Sequence, residues 1–292
     1  MICLSVIDVS SPGYMPQLVQ HADHCGYSRF WATEHHSAHL SASPTVVVAL
    51  AAAMTERIRI GTAGVLLHYA CPAKVAEDFR VLETYFPGRI DLGVAGGRLS
   101  AHESIYLDGR PPPTEDRYEA RVRTLVELMR GSHELSVGPS TKTQPPLWLC
   151  GKSRRSAVLA ASLGINFAFH HFFAQSTAAA REAISAYRDA YRGVGGATPY
   201  AMLACYGACG PTEDAAARHW SAYGTQTACF LGTPARCVDQ LSQLAEETAV
   251  DEIAVSVHSE DLDARLDGYA RLAKAAGLSS VGEPVACHER SV

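Results

Sequence analysis

Short apolar runs and amphipathic stretches alternate along most of this chain. The apolar runs are ICLSVIDV (2–9), SRFWAT (28–33), RIRIGTAGVLL (57–67), RIDLGVA (89–95), PPLWLC (145–150), INFAFHH (165–171), PYAMLACYGAC (199–209) and DEIAVSVH (251–258). They are short and mostly bounded by turn residues, so each predicts a strand. Helical patterns fall over 16–25, 44–55, 72–85, 114–130, 153–163, 175–192, 211–222, 234–248 and 260–276. The punctuation agrees, with Pro44 and Pro72 at helix starts and Gly26 and Gly164 after helix ends. Eight strands alternating with helices predict an α/β fold, a parallel (β/α)8 TIM barrel. A doubly wound sheet would want GxGxxG after the first strand, and VIDVSSPGY does not supply it. Residues 96–113 are less regular, end in three prolines, and read as a functional loop. No linker, repeat or low-complexity tract interrupts the rhythm. Residues 1–292 therefore read as a single barrel domain, with about 277–292 as a flexible tail.

Composition narrows the function classes. Apolar residues make up 47% and charged residues 19%, which excludes a disordered chain. The 25 basic and 30 acidic residues give a net charge of −5, and no basic run offsets it, so no nucleic-acid partner is expected. No uninterrupted apolar stretch of ~18 residues is present, so no membrane span is expected. The opening MICLSVIDVSS lacks a positive n-region and reads as strand, not signal peptide. Nine cysteines, an odd number with no CxxC pair, read mostly as small core residues in a reducing, cytoplasmic compartment.

A TIM barrel carries its chemistry at the C-terminal strand ends. Glu34-His35-His36, Ala63-Gly64 through His68-Tyr69, Gly96-Gly97-Arg98, Gly151-Lys152-Ser153 and His170-His171 fall in those windows. Five of thirteen histidines stand there, which suits a site that moves protons. Three readings of EHH stay open: a metal site with His39, a structural histidine, or a residue that transfers protons or orients substrate. The segment GKSRRS (151–156) lies between a strand and a helix. Its Ser153 and Ser156 hydroxyls and the free amides of the helix start would suit a phosphate-sized anion. The alternative is an N-cap serine with solvated Lys152, Arg154 and Arg155. Three bases there oppose the helix dipole unless an anion joins them. The small residues of GTAG (61–64) admit a ligand's close approach or tight barrel packing. His36, His68, Tyr69, His102, Tyr106, His170 and His171 are candidates for a substrate pocket. In a strand, His170 and His171 would face opposite sides.

The segments WATEHH, RIRIGTAGVLLHYACPAKVAEDFRVLETYFPGRIDLGVA, PLWLCGKSRRSAVLAASLGINFAFHHF and FLGTPARCVDQL closely resemble the bacterial luciferase-like flavin monooxygenase family. The likeness runs from residue 2 to about 275 and is poor over 98–113. It implies a (β/α)8 barrel and a monooxygenase that takes reduced FMN from a separate flavin reductase and uses O2 on a small organic substrate. By resemblance His35 is the catalytic histidine, giving acid–base help or stabilisation where flavin meets oxygen. Ala63-Gly64 matches a pair joined by a non-proline cis peptide beneath the flavin ring. Ser153 and Ser156 match hydroxyls that hold the FMN phosphate, and Cys150 a strand residue bordering the flavin. Family members often place a phosphate-binding arginine just after the fourth strand, where this chain has Gly96. Arg98, Lys152 or Arg155 would have to substitute. That departure leaves two rivals within the family: a deazaflavin-dependent hydride-transfer oxidoreductase and a flavin-binding relative without catalysis. A homodimer is implied by resemblance alone.

Overall fold

In a computed structural model the described residues are 2–9, 12–36, 42–97, 104–105, 114–193, 197–221, 227–259 and 261–278. The strands in chain order are β1 (Cys3–Asp8), β2 (Arg29–Ala32), β3 (Arg59–Thr62), β4 (Val65–Leu66), β5 (Ile90–Ala95), β6 (Leu147–Gly151), β7 (Asn166–His170), β8 (Ala201–Cys209), β9 (Phe230–Gly232) and β10 (Glu252–Val257). All pair in parallel, and β10 bonds to both β8 and β1, so the sheet closes into a barrel. Eight strands form the ring. β4 continues the line of β3 along β5, and β9 adds to the far end of β8. This is the TIM barrel that the hydrophobic rhythm predicts.

The helices are α1 (Met15–His24), α2 (Pro44–Ala53), α3 (Pro72–Tyr85), α4 (Glu115–Arg130), α5 (Arg154–Leu163), α6 (His171–Ala174), α7 (Thr177–Ala190), α8 (Glu213–Ser221), α9 (Pro234–Thr248) and α10 (Leu262–Ala275). Local chemistry sets several of their ends. Thr114 caps α4 by accepting from the Arg117 N–H, and Gly131 ends it in the left-handed region. Ser176 and Asp261 cap α7 and α10 in the same way. Among the described residues no helix is long and apolar enough to cross a membrane.

Three details differ from the sequence reading. The run 57–67 is two strands, with a cis Ala63–Gly64 peptide between them. The run 165–171 ends at His170, and His171 opens the short helix α6, so the two histidines do not alternate across a strand. β9 has only three residues, too few to show a period.

Outward side chains such as Leu4, Phe30, Ile60, Leu92, Phe167 and Leu203 pack under the helices in one large apolar layer. Inward side chains, among them Ile7, Trp31, Trp148, Met202 and Ala254, fill the barrel. Trp31 explains Gly61: a Cβ there would stand 2.6 Å from the indole. At the N-terminal strand ends the barrel is shut by buried ions. Arg29 pairs with Glu252 and Asp91, Arg59 bonds Asp91 at 2.8 Å, and the Trp148 indole N–H donates to Asp91 at 2.9 Å. The Tyr200 hydroxyl donates to Glu252 at 3.1 Å. Burial alone would raise the Asp91 pKa, but the guanidinium groups of Arg59 and Arg29 outweigh it and hold the carboxyl below its ordinary range.

Candidate active site

The opposite end of the barrel is built differently. After β2 the chain runs through Glu34, His35 and His36. Glu34 accepts the Leu66 N–H at 2.8 Å with one oxygen and lies 2.7 Å from His36 Nε2 with the other. This clamp ties the EHH loop to β4 and engages His36. It leaves His35 Nδ1 buried and without a hydrogen-bond partner. His170, at the end of β7, has a buried Nε2 in the same state. The two rings are close enough that His35 lowers the His170 pKa, which burial first drives down to about 4. Burial, then His36, also lowers His35. Both imidazoles are therefore neutral at neutral pH, each with a buried nitrogen that lacks a hydrogen-bond partner.

Aromatic side chains wall the mouth. Phe172 on α6 stacks on Tyr206 of β8 with ring centres 4.5 Å apart and lies 5.1 Å from the His170 ring. His258 follows β10 and meets Tyr206 edge-on at 5.0 Å and Trp220 of α8 at 5.9 Å. Burial, with Arg265 adding to it, lowers the His258 pKa to about 3. Ala63, Cys150 and Ala168 belong to the same inner apolar cluster. Burial raises the Cys150 thiol to about 12, so it stays protonated.

Under the end of β5, His68 stacks on Tyr118 of α4, with centroids 4.8 Å apart and planes 19° apart. Tyr69 packs on His68 at 6.0 Å. A Cβ on Gly96 would stand 3.1 Å from His68 Nε2, so this ring fills the space that a longer residue at 96 would need. His68 Nδ1 and the Tyr118 hydroxyl are buried with no hydrogen-bond partner. Gly64 is packed too, since a Cβ there would stand 2.9 Å from the Gly93 backbone. The glycines at 61 and 64 thus meet packing demands of the barrel itself.

The start of α5 forms a reciprocal cap. The Ser153 hydroxyl accepts the Ser156 N–H, and the Ser156 hydroxyl accepts the Ser153 N–H, both at 3.3 Å. Two amides of the first turn have no intrahelical partner. A Cβ on Gly151 would meet the Ser156 hydroxyl at 2.3 Å, so only glycine lets the turn close this tightly. The bases that the helix dipole disfavours have protein partners. Arg155 bonds Glu119 at 2.6 Å and Asp116 at 3.1 Å on α4, and Arg154 lies 3.8 Å from Glu182. The Lys152 ammonium sits 5.7 Å from the Phe173 ring centre.

His35 and His170 thus lie near each other, Ala63 and Cys150 belong to the inner apolar cluster, and Lys152, Ser153 and Ser156 follow β6 at the same end of the barrel. His36 is held by Glu34, and the His171 Nδ1 lies 3.2 Å from the Cys229 thiol, away from the EHH clamp. Arg98, His102, Tyr106 and His39 lie outside the described residues. No set of three His, Cys, Asp or Glu side chains suited to a metal occurs among the described residues. Tyr206, Phe172, Tyr118, Trp220 and His258 were missed as site residues. The inward parity of Met202, Ala204 and Tyr206, and the strand-end place of His258, carry the signal for two of them.

The family profile of luciferase-like monooxygenases matches residues 5–226. This chain belongs to the luciferase-like monooxygenase family. A luciferase-like monooxygenase of Escherichia coli strain K12 is 28% identical to it, over 86% of this chain and 87% of that one. An N-acetyl-S-alkylcysteine monooxygenase of Bacillus subtilis strain 168 is 34% identical, over 59% of this chain and 58% of that one. The crystal structure of apo-MsnO8 superposes with a TM-score of 0.86 at 29% identity, over 96% of this chain and all of that one. More distant structures share the barrel. They include the oxygenating constituent of 3,6-diketocamphane monooxygenase from Pseudomonas putida in complex with FMN, with a TM-score of 0.76 at 16% identity, over 94% of this chain and 98% of that one. An F420-dependent secondary alcohol dehydrogenase superposes at 0.77 with 14% identity, over 94% and 99%.

Proposed function

We propose that this luciferase-like chain is a monooxygenase that uses reduced FMN and dioxygen to oxygenate a small organic substrate. One observation carries the reading: neutral imidazoles with unpartnered nitrogens lie at the same barrel end as a hydroxyl-lined helix start. The residues fit the cofactor. The Ser153 and Ser156 hydroxyls, the free amides of the first α5 turn and Lys152 offer a phosphate seat. Arg155 is engaged by α4 carboxylates, so the seat relies on hydroxyls, amides and one lysine. Ala63 and Cys150 give the inner wall a flat, uncharged surface, as an isoalloxazine ring requires. When bound, reduced FMN supplies the electrons that activate oxygen.

The chain's own part is to hold, shield and move protons. Phe172, Tyr206 and Trp220 exclude water from the mouth. His35 Nδ1 and His170 Nε2 can each exchange a proton or hydrogen bond with a molecule seated between them, and neither carries charge that would draw water in. Sequence relatives named as monooxygenases support oxygen chemistry over hydride transfer. A separate reductase as the source of reduced FMN, and a homodimer, belong to the same reading.

The test is anaerobic titration of the purified protein with reduced FMN and, separately, with reduced F420, followed by oxygen and mass analysis of added small-molecule substrates. FMN binding with an oxygenated product is expected. Tight binding of F420 without FMN binding would move the chain to the deazaflavin branch. A His35→Ala variant equal to wild type in every turnover assay would make it a non-catalytic flavin binder.

A further inference from the structure

Behind the aromatic wall lies a group of nucleophilic side chains that the mouth chemistry does not use. Cys229 stands just before β9. Its N–H donates to the Tyr206 carbonyl at 2.8 Å, and its thiol lies 3.2 Å from His171 Nδ1. His171 is buried, and its Nε2 has no hydrogen-bond partner. The Cys205 thiol of β8 acts on the same sulfur and favours its ionised form. The two cysteines differ in access, since Cys229 is half-buried whereas Cys205 is sealed in the outer core layer. Both pack in the outer apolar layer, Cys205 within it and Cys229 against it. Gly207 pairs with Phe230, so Cys229 stands beside Tyr206 and diagonal to Cys205. Cys229 precedes β9 and so is not bound to the alternation of that strand, and neighbouring strands lie about 4.8 Å apart, close enough for a disulfide once the side chains share a face.

We propose that Cys229 is a peroxide-reactive thiol, that His171 is its proton partner, and that Cys205 is the thiol that resolves it into a disulfide. In the first step His171 takes the Cys229 proton and the thiolate attacks one oxygen of hydrogen peroxide. The O–O bond breaks, the departing hydroxide takes the proton back from His171 as water, and Cys229 becomes a sulfenic acid. In the second step the Cys205 sulfur attacks the Cys229 sulfur, the S–O bond breaks, and a second water leaves with the Cys205 proton. Two thiols are oxidised and one peroxide is reduced to two waters. The site does not depend on which cofactor the mouth holds.

Hydrogen bonds from Cys205 first, and then His171, lower the Cys229 pKa to about 5 against the opposing effect of burial. Loss of the Cys229 proton to His171 is thereby favoured. A more acidic thiol is also a weaker nucleophile, and the two effects offset to about the same order. The rate advantage must therefore come from proton delivery by His171, which a solvent-exposed cysteine lacks. Cys71 is exposed and provides the internal comparison.

The experiment treats the full-length protein at pH 7 with a few equivalents of hydrogen peroxide, with and without dimedone, and maps every cysteine by mass spectrometry. In wild type a Cys205–Cys229 disulfide is expected as the first product. In Cys205→Ser the dimedone adduct should accumulate at Cys229 about tenfold faster than at Cys71. His171→Gln should bring Cys229 down to the Cys71 rate, while Cys205→Ser keeps the imidazole and serves if the His171 variant fails to fold. Equal rates at Cys229 and Cys71 in Cys205→Ser, or Cys229 oxidation in wild type without a bond to Cys205, would overturn the proposal.

Discussion

The two ends of this barrel hold different kinds of buried polarity: ions at the base and neutral imidazoles at the mouth. At the base, Arg29, Arg59, Asp91 and Glu252 pair charge with charge, and Trp148 and Tyr200 donate into the same network. At the mouth, buried nitrogens of His35, His68 and His170 have no hydrogen-bond partner. An unpaired buried polar atom costs free energy, and at the mouth a bound ligand would recover that cost for three imidazoles, whereas at the base Glu252 Oε1 lies unpaired inside an ion network. The comparison assigns stability to the base and chemistry to the mouth, and it can be broken from either side.

The largest effect is expected at the base. Arg29→Met removes the guanidinium that pairs with Glu252 and leaves that buried charge without a cation, while Asp91 keeps Arg59, which should cost about 3–5 kcal/mol in urea unfolding. A loss under 1 kcal/mol would show that water reaches Glu252. The mouth should answer in rate instead. His35→Ala should lower turnover by about 100-fold or more while leaving the unfolding midpoint nearly unchanged. Equal turnover, or a large shift in midpoint, would merge the two ends into one structural role.

Acid separates the ends next. His170 and His258 titrate in the native state near about 4 and about 3, below the ordinary histidine value of 6.5. The unfolded chain takes up their protons first as pH falls. Their contribution to stability is thus complete above pH 6.5 and shrinks as pH drops toward 4. Each should cost about 2 kcal/mol between pH 7 and pH 5. His170→Phe should remove about that much of the pH dependence in paired unfolding curves, and an unchanged slope would place the ring in water.

The smallest effect is at the rim. Ser153→Ala removes one half of the reciprocal α5 cap and should cost about 1 kcal/mol of stability. Under the proposed function it should also weaken FMN binding more than riboflavin binding, because riboflavin has no phosphate. Equal losses for the two ligands would move the phosphate seat away from this turn.

The eight strands were legible because each one declares itself: Leu4-Val6, Phe30-Ala32 and Leu203-Cys205 repeat every second position, whatever lies elsewhere. The strand-end rule then pointed to His35, His170 and Ser153, and the structure places His170 at the end of β7 and Ser153 just after β6. The sequence reading missed His258 and Tyr206, although the same rule reaches both. Trp220, Phe172 and Tyr118 had no such signal, because their helices turn toward the mouth only when packed. The serine cap of α5 is the alternative reading of GKSRRS, an N-cap serine beside solvated bases. That reading did not foresee that Arg155 would be bonded to α4.

What the chain determined by itself is the barrel, its order of elements and the rim on which chemistry gathers, since periodicity and caps act within a few residues. Only the tertiary structure decided the partners. Arg29 meets Glu252 across 223 positions and His171 meets Cys229 across 58, and His68 takes up the space above Gly96 from a different loop. Such pairings arise when barrel closure brings distant strand ends together, and no local pattern of hydrophobic and polar residues encodes which two will touch.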